Sequence, residues 1–318
     1  MTVSELTGAM VAETGKIIVG KAAQIRLIIM ALFAEGHILL DDIPGVGKTT
    51  LVKTLAIVAG CDCKRIQFVP DLLPSDITGF NVFDQKSGDF KLRTGPVMTN
   101  LLLADEINRA IPRTQSALLE AMEERQVTID GAQMMLPEPF IVMATQNPVE
   151  AETTFQLPAA QMDRFLIKIS LGYPTGSEEL DMLRNLGDDI PFSSVQKLTD
   201  AGEITALQRE IRDVFISDAV ARYIIELISK TRANPLVKMG ASPRATRGMY
   251  KAAKALAAMD GRSFVTPDDV QGLAVPCLAH RLLLTGEARL ARKGAEAVVM
   301  EILKSIPVPP ARDEFFKG

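Results

Sequence analysis

Residues 41–50 read Asp-Asp-Ile-Pro-Gly-Val-Gly-Lys-Thr-Thr. Glycines directly before a Lys-Thr pair suit phosphate chemistry. A glycine-rich turn can aim successive backbone N–H groups at phosphate oxygens, and a helix that starts at the lysine adds the favourable end of its dipole. On that reading Pro44, Gly45, Val46, Gly47, Lys48, Thr49 and Thr50 form the cradle. The Lys48 ammonium reaches the β- and γ-phosphates, and the Thr49 hydroxyl coordinates Mg²⁺. One position departs from the pattern G-x-x-x-x-G-K-[ST], because Asp42 replaces its first glycine. Gly45 and the Gly-Lys-Thr triplet are intact, so the loop is expected to tolerate Asp42.

A second candidate is the apolar run Leu101–Ala104 that ends in Asp105-Glu106. An apolar strand would deliver both carboxylates at its carboxyl end, beside the phosphate loop. Asp105 would hold the metal ion through water. Glu106 would polarise the attacking water as a general base. Alone, such a pair also fits a helix start, where carboxylates are favoured. A third candidate is Asn147, after the apolar run from Phe140 to Thr145. It would orient the water or sense the γ-phosphate, although Asn147-Pro148 also reads as a turn.

These groups need strands that end together. Short apolar runs predict strands at His37 to Leu40, Lys64 to Phe68, Leu101 to Asp105, Phe140 to Thr145 and Leu166 to Leu171, with a helix from Lys48 to Ala59. The pattern predicts an α/β fold with a doubly wound parallel five-stranded sheet. Residues 81–92 and 126–136 read as inserted hairpins, the second turning at Asp130-Gly131, which suits a turn needing φ > 0. After Pro174 no further buried strand is predicted. Helices are expected at Ser177 to Leu186, Asp218 to Thr231, Pro243 to Met259, Thr266 to Leu284 and Ala295 to Leu303. This predicts two domains, residues 1–187 with the sheet and 188–318 as a smaller all-α lid.

Composition narrows the function class. The net charge of −4, the absence of Trp and the presence of only three Tyr argue against a nucleic-acid motor or loader. Cys61, Cys63 and Cys277 give no disulfide framework, and His37 and His280 are too far apart in sequence to complete a zinc pattern. The run Leu27 to Phe33 is much shorter than a membrane span. A cytoplasmic protein without a signal peptide is expected.

Five stretches together resemble the MoxR family of AAA+ ATPases: "DDIPGVGKTTL", "LLLADEINRAIPRTQSALLEAMEERQVT", "MATQNP", "FQLPAAQMDRF" and "GASPRATRGM". The resemblance keeps the order of motifs over nearly the whole chain. It implies ATP and Mg²⁺ as cofactors, and a ring, hexameric in this family, with each nucleotide between neighbouring subunits. It matches Arg164 to the arginine finger, Arg244 to the sensor 2 arginine of the lid, and Val19-Gly20 to the motif near the adenine. By residue type alone, Arg164 beside Asp163 reads as a surface ion pair, and Arg247 competes with Arg244. Arg109 and Arg113 could also face a neighbour's site, and a solvated helix start fits them equally well. The family further implies chaperone-like work on protein clients, including metal-cofactor insertion, often with a von Willebrand factor A domain partner. A scaffold that assembles on nucleotide but hydrolyses little is the non-enzymatic alternative. Intact Lys48, Asp105, Glu106, Asn147 and Arg164 speak against it.

Overall fold

The structure, a computed structural model, describes residues 1–43, 45–147, 155–186 and 192–310, with Asn185 and Leu186 described for their backbone alone. Five parallel strands form the central sheet: β1 (Ile38–Asp41), β2 (Cys63–Gln67), β5 (Leu101–Asp105), β8 (Ile141–Gln146) and β9 (Ile167–Ile169). Their spatial order is β2-β5-β8-β1-β9. Alternation along the strands sorts apolar side chains to two faces. Ile38, Leu40, Leu101, Leu103, Ile141 and Met143 join one buried cluster, while Leu39, Leu102, Ala104, Val142 and Ala144 join the other. Burial on both faces explains why β1, β5 and β8 read as apolar runs, while the edge strand β2 stays polar.

The first face is covered by α1 (Val3–Gly15), α2 (Ala22–Phe33) and α3 (Lys48–Ala59). The second packs α5 (Pro112–Glu124), which follows the short helix α4 (Pro74–Thr78). Two hairpins project from this frame, β3 (Gly79–Asp84) with β4 (Asp89–Thr94), and β6 (Gln126–Ile129) with β7 (Ala132–Met135). Asp130 and Gly131 turn the second with φ of 49° and 85°. The short α6 (Ala159–Met162) precedes β9, and α7 (Gly176–Leu186) follows it.

The carboxyl-terminal part holds α8 (Ala201–Ile211), α9 (Asp218–Ala233), β10 (Val237–Met239), α10 (Pro243–Met259), α11 (Pro267–Leu278), β11 (Leu283–Leu284), α12 (Gly286–Leu290) and α13 (Ala295–Ser305). It is helical, but β10 and β11 pair antiparallel, a small ladder that the sequence reading did not foresee. The helix expected to run from Thr266 to Leu284 stops at Leu278, where a short 3₁₀ turn leads into β11. The expected domain boundary at residue 187 lies outside the described residues. The larger apolar cluster joins sheet and lid: Leu166 and Ile167 share it with Met249, Leu273 and Val298.

Two buried histidines staple this frame. His37, just before β1, accepts from the Val142 N–H through Nδ1 at 3.0 Å and donates from Nε2 to the Met122 carbonyl at 3.1 Å. His280 donates from Nε2 to the Phe165 carbonyl at 3.1 Å. Burial, with a nearby guanidinium in each case, pulls both imidazoles down to about 3. Each ring is neutral in the fold and gains a proton on unfolding below about pH 6.5. Their contribution is full above that pH and is lost as pH falls toward the folded value, at roughly 1.4 kcal/mol per unit per ring. Urea melts between about pH 6.5 and 5 should show this slope, and His37→Gln should remove about half of it. A stability flat across that window would contradict the account.

Candidate active site

Parallel strands place their carboxyl ends on one edge of the sheet, and the phosphate loop leaves β1 there. Gly45 and Gly47 take φ of 87° and 82°, a left-handed backbone that only glycine adopts without strain. Gly47 caps α3 and brings no side chain to its first-turn N–H groups. Those donors therefore point from the helix start toward the loop. Val46 packs against the core. Lys48 opens α3, with Thr49 and Thr50 behind it. The Lys48 ammonium donates to the carbonyls of Asp42 at 2.9 Å and Ile43 at 3.2 Å, which holds it across the loop. Pro44 lies outside the described residues.

Asp42 has a structural task. Its side chain is buried and accepts three hydrogen bonds, from Ser170 Oγ at 2.6 Å, Leu171 N at 2.7 Å and Gly172 N at 3.0 Å. The carboxylate thus fastens the start of the phosphate loop to the chain leaving β9. That chain continues to Tyr173, whose carbonyl accepts from Lys21 Nζ at 3.1 Å. Lys21 also pairs with Glu178 at 3.7 Å. Gly20, with φ of 76°, lies so close to the Glu178 side chain that a Cβ would overlap it. Val19 and Gly20 are therefore tied to the same edge as the loop.

The carboxylates stand beside it. Asp105 ends β5 and accepts from Thr145 Oγ1 at 2.6 Å and from Arg65 Nη2 at 2.7 Å. Glu106 follows in a left-handed conformation, φ 56°, which is uncommon for a residue with a side chain and clusters at functional sites. Its N–H donates to Thr145 Oγ1 at 2.8 Å. Its carboxylate accepts from Gln67 Nε2 at 2.6 Å and pairs with Arg109 at 3.2 Å. Thr145 therefore holds both acidic residues with one buried hydroxyl. Asn147 follows β8 and is buried. With Asp41, Asn108, Gln146, Gln156 and Met162 it lines a cavity of about 240 Å³ at this edge. Thr49 and Asp105 supply the hard oxygen donors that Mg²⁺ prefers, so the residues fit a metal-bound triphosphate.

Arg164 and Arg244 lie at the opposite edge. Arg125, just after α5, donates to the carbonyls of Phe140 and Glu35, which precede β8 and β1. The end of α5 therefore sits where the strands begin. Arg164 donates to the Leu119 carbonyl at 2.6 Å and pairs with Glu123 at 3.2 Å. Arg244 pairs with the same Glu123, and with Asp163 at 3.8 Å. Arg244 therefore lies at the edge opposite the Glu106 of its own chain. Helix α10 begins at the amino edge, and Arg244 joins Arg164 there. Sequence reading also missed Thr145, Arg65, Gln67 and Glu123. The available signal was two polar residues, Arg65 and Gln67, spaced two apart on one side of a sheet strand.

Comparison with known proteins agrees with the fold. Residues 37–167 match the family described as "ATPase family associated with various cellular activities (AAA)", and residues 229–302 match the AAA lid domain. The chain is 48% identical to the uncharacterized protein YeaC of Bacillus subtilis, over 96% of each chain. It is 40% identical to chaperone MoxR1 of Mycobacterium tuberculosis, over 93% of this chain and 81% of that one. The crystal structure of a Cytophaga hutchinsonii protein, named for an inferred ATPase activity, superposes with a TM-score of 0.90 at 38% identity. It covers 97% of this chain and 96% of its own.

The role of Asp42 gives a prediction against the consensus. Asp42→Gly would restore the usual pattern yet leave three donors without their acceptor. It should lower stability by about 2–4 kcal/mol and bring no gain in nucleotide affinity. Urea melts and titration with a fluorescent ATP analogue would measure both. A variant that is as stable as wild type, or binds more tightly, would remove the tether role.

Proposed function

Because the chain belongs to the MoxR family of AAA+ ATPases, we propose that it hydrolyses ATP to ADP and phosphate at sites completed by a neighbouring copy. The observation that carries this reading is the separation of charged and polar groups between two edges. Lys48, Thr49, Asp105 and Glu106 gather at the carboxyl edge, while Arg164 and Arg244 gather at the amino edge. Within one chain the arginines face away from the phosphate loop. Head-to-tail packing brings the amino edge of one copy onto the carboxyl edge of the next, and repeating that contact closes a ring. A hexamer is the number we propose, on the family resemblance.

In that arrangement the loop N–H groups and Lys48 bind the phosphates. Glu106 takes a proton from the attacking water, and Asn147 orients that water. Mg²⁺, held through Thr49 and Asp105, would neutralise charge on the phosphates when bound. Arg164 of the neighbour stabilises charge developing on the transferred phosphoryl group. Such fingers raise rates ~10³–10⁵-fold, or roughly 4–7 kcal/mol. An exposed ion pair contributes less than about 1 kcal/mol, so a finger-dependent enzyme is nearly silent as a monomer.

The work is proposed to fall on a protein client. The β3–β4 hairpin exposes Phe80, Val82, Phe83, Phe90 and Leu92, and the rings of Phe83 and Phe90 meet edge to face at 5.3 Å. Exposed apolar surface on this scale marks an interaction site. The relative named chaperone MoxR1 supports client remodelling. Cofactor insertion and a von Willebrand factor A partner rest on the family resemblance.

ATPase rate per subunit should rise cooperatively with protein concentration, in step with assembly followed by mass photometry. Arg164→Ala should assemble and lose at least about 10³-fold in rate. Deletion of residues 81–92, the arms and turn of the β3–β4 hairpin, none of them buried, should spare basal turnover and abolish remodelling. A rate that stays flat across assembly would contradict the shared site, and remodelling that survives the deletion would contradict the hairpin role.

A further inference from the structure

Arg164 is set in place from the lid. The segment Asp163-Arg164-Phe165-Leu166 leads into β9. Arg281, in the 3₁₀ turn after α11, is 4% exposed. It donates from Nη1 to Asp163 Oδ1 at 3.0 Å and from Nη2 to the Phe165 carbonyl at 2.6 Å. One buried guanidinium therefore grips the residues on both sides of Arg164. A second lid element reaches the same carboxylate. Ser242, the cap of α10, donates from Oγ to Asp163 Oδ2 at 2.6 Å. His280 adds its bond to the Phe165 carbonyl. Helix α10 also lies close against this segment at Gly248, where a Cβ would come within 2.9 Å of Leu166 Cδ1.

We infer that Arg281 and Asp163 are positioning residues for Arg164, so that each subunit's lid fixes the arginine it offers to its neighbour's site. The inference rests on the finger reading above and adds the device that sets the finger. Arg164 has a long, flexible side chain, and its reach is defined only if its backbone is held. The backbone here is held by Asp163 and the Phe165 carbonyl, and both belong to a hydrogen-bonded joint with the lid. Any rotation of the lid against the sheet must carry this joint or break it. Either way the change reaches the neighbouring subunit's phosphates and not the subunit's own, because the joint lies at the amino edge.

A double-mutant cycle on the full-length chain tests this, with ring content read by mass photometry and turnover by single-turnover hydrolysis of labelled ATP. Arg281→Met should leave the ring and the KM for ATP unchanged and lower kcat by roughly 10- to 100-fold, the effect of small misplacement of a reacting group. In the Arg164→Ala background the same substitution should cause no further loss, because the two act through one group. Arg281→Lys should recover part of the rate. If Arg281→Met does not assemble, Ser242→Ala and Asp163→Asn are read by the same criteria. An intact ring with unchanged kcat overturns the inference. So does a loss of equal size in both backgrounds, which would mark Arg281 as a general support of the fold. If Arg164→Ala alone keeps the full rate, the finger reading fails first, and that single variant shows it.

Discussion

The direction of the five strands is the constraint on which the rest depends. Parallel strands deliver every carboxyl end to one edge and every amino end to the other. The phosphate loop and the acidic pair must therefore lie at the first edge. A residue that precedes a strand, as Arg164 precedes β9, must lie at the second. No side chain crosses the length of a strand to unite the two sets. Under the proposed shared site, these two edges are the halves that a second copy would join.

Within the first half, buried hydrogen bonds do the positioning. Asp42 fixes the loop to the chain after β9 through three donors. Thr145 fixes Asp105 and Glu106 through one hydroxyl. Unmet partners of buried polar groups are costly, so each network specifies one geometry. Glu106 in particular sits in a strained backbone conformation with its carboxylate already engaged by Gln67 and Arg109. To act as a base it must exchange those partners for water, and that exchange gives the site a place where assembly or nucleotide can act.

Much of this was legible in the sequence. The runs of β1, β5 and β8 were legible within a few residues because burial on both faces leaves continuous apolar segments. The helix expected at Pro243 to Met259 has those bounds in the structure, where Ser242 caps it. The loop, Asp105 and Glu106 were placed correctly at one edge because each follows a strand. The role of Asp42 was not legible, since its partners lie some 130 residues away and depend on strand order. The surroundings of Arg244 were not legible for the same reason: its neighbours Glu123 and Asp163 come from α5 and the segment before β9. The helix after Thr266 was overrun because apolar residues continue past Leu278 into β11, and burial alone does not distinguish the two.

The most direct test of the divided site is complementation. Glu106→Gln subunits keep the finger and lack the base, while Arg164→Ala subunits keep the base and lack the finger. Each should be silent alone. Mixed in equal amounts and co-assembled, they should regain up to about a quarter of the wild-type rate, because random head-to-tail pairing joins an intact base to an intact finger at that fraction of interfaces. A mixture that assembles fully and stays as silent as its parts would contradict a site shared between copies.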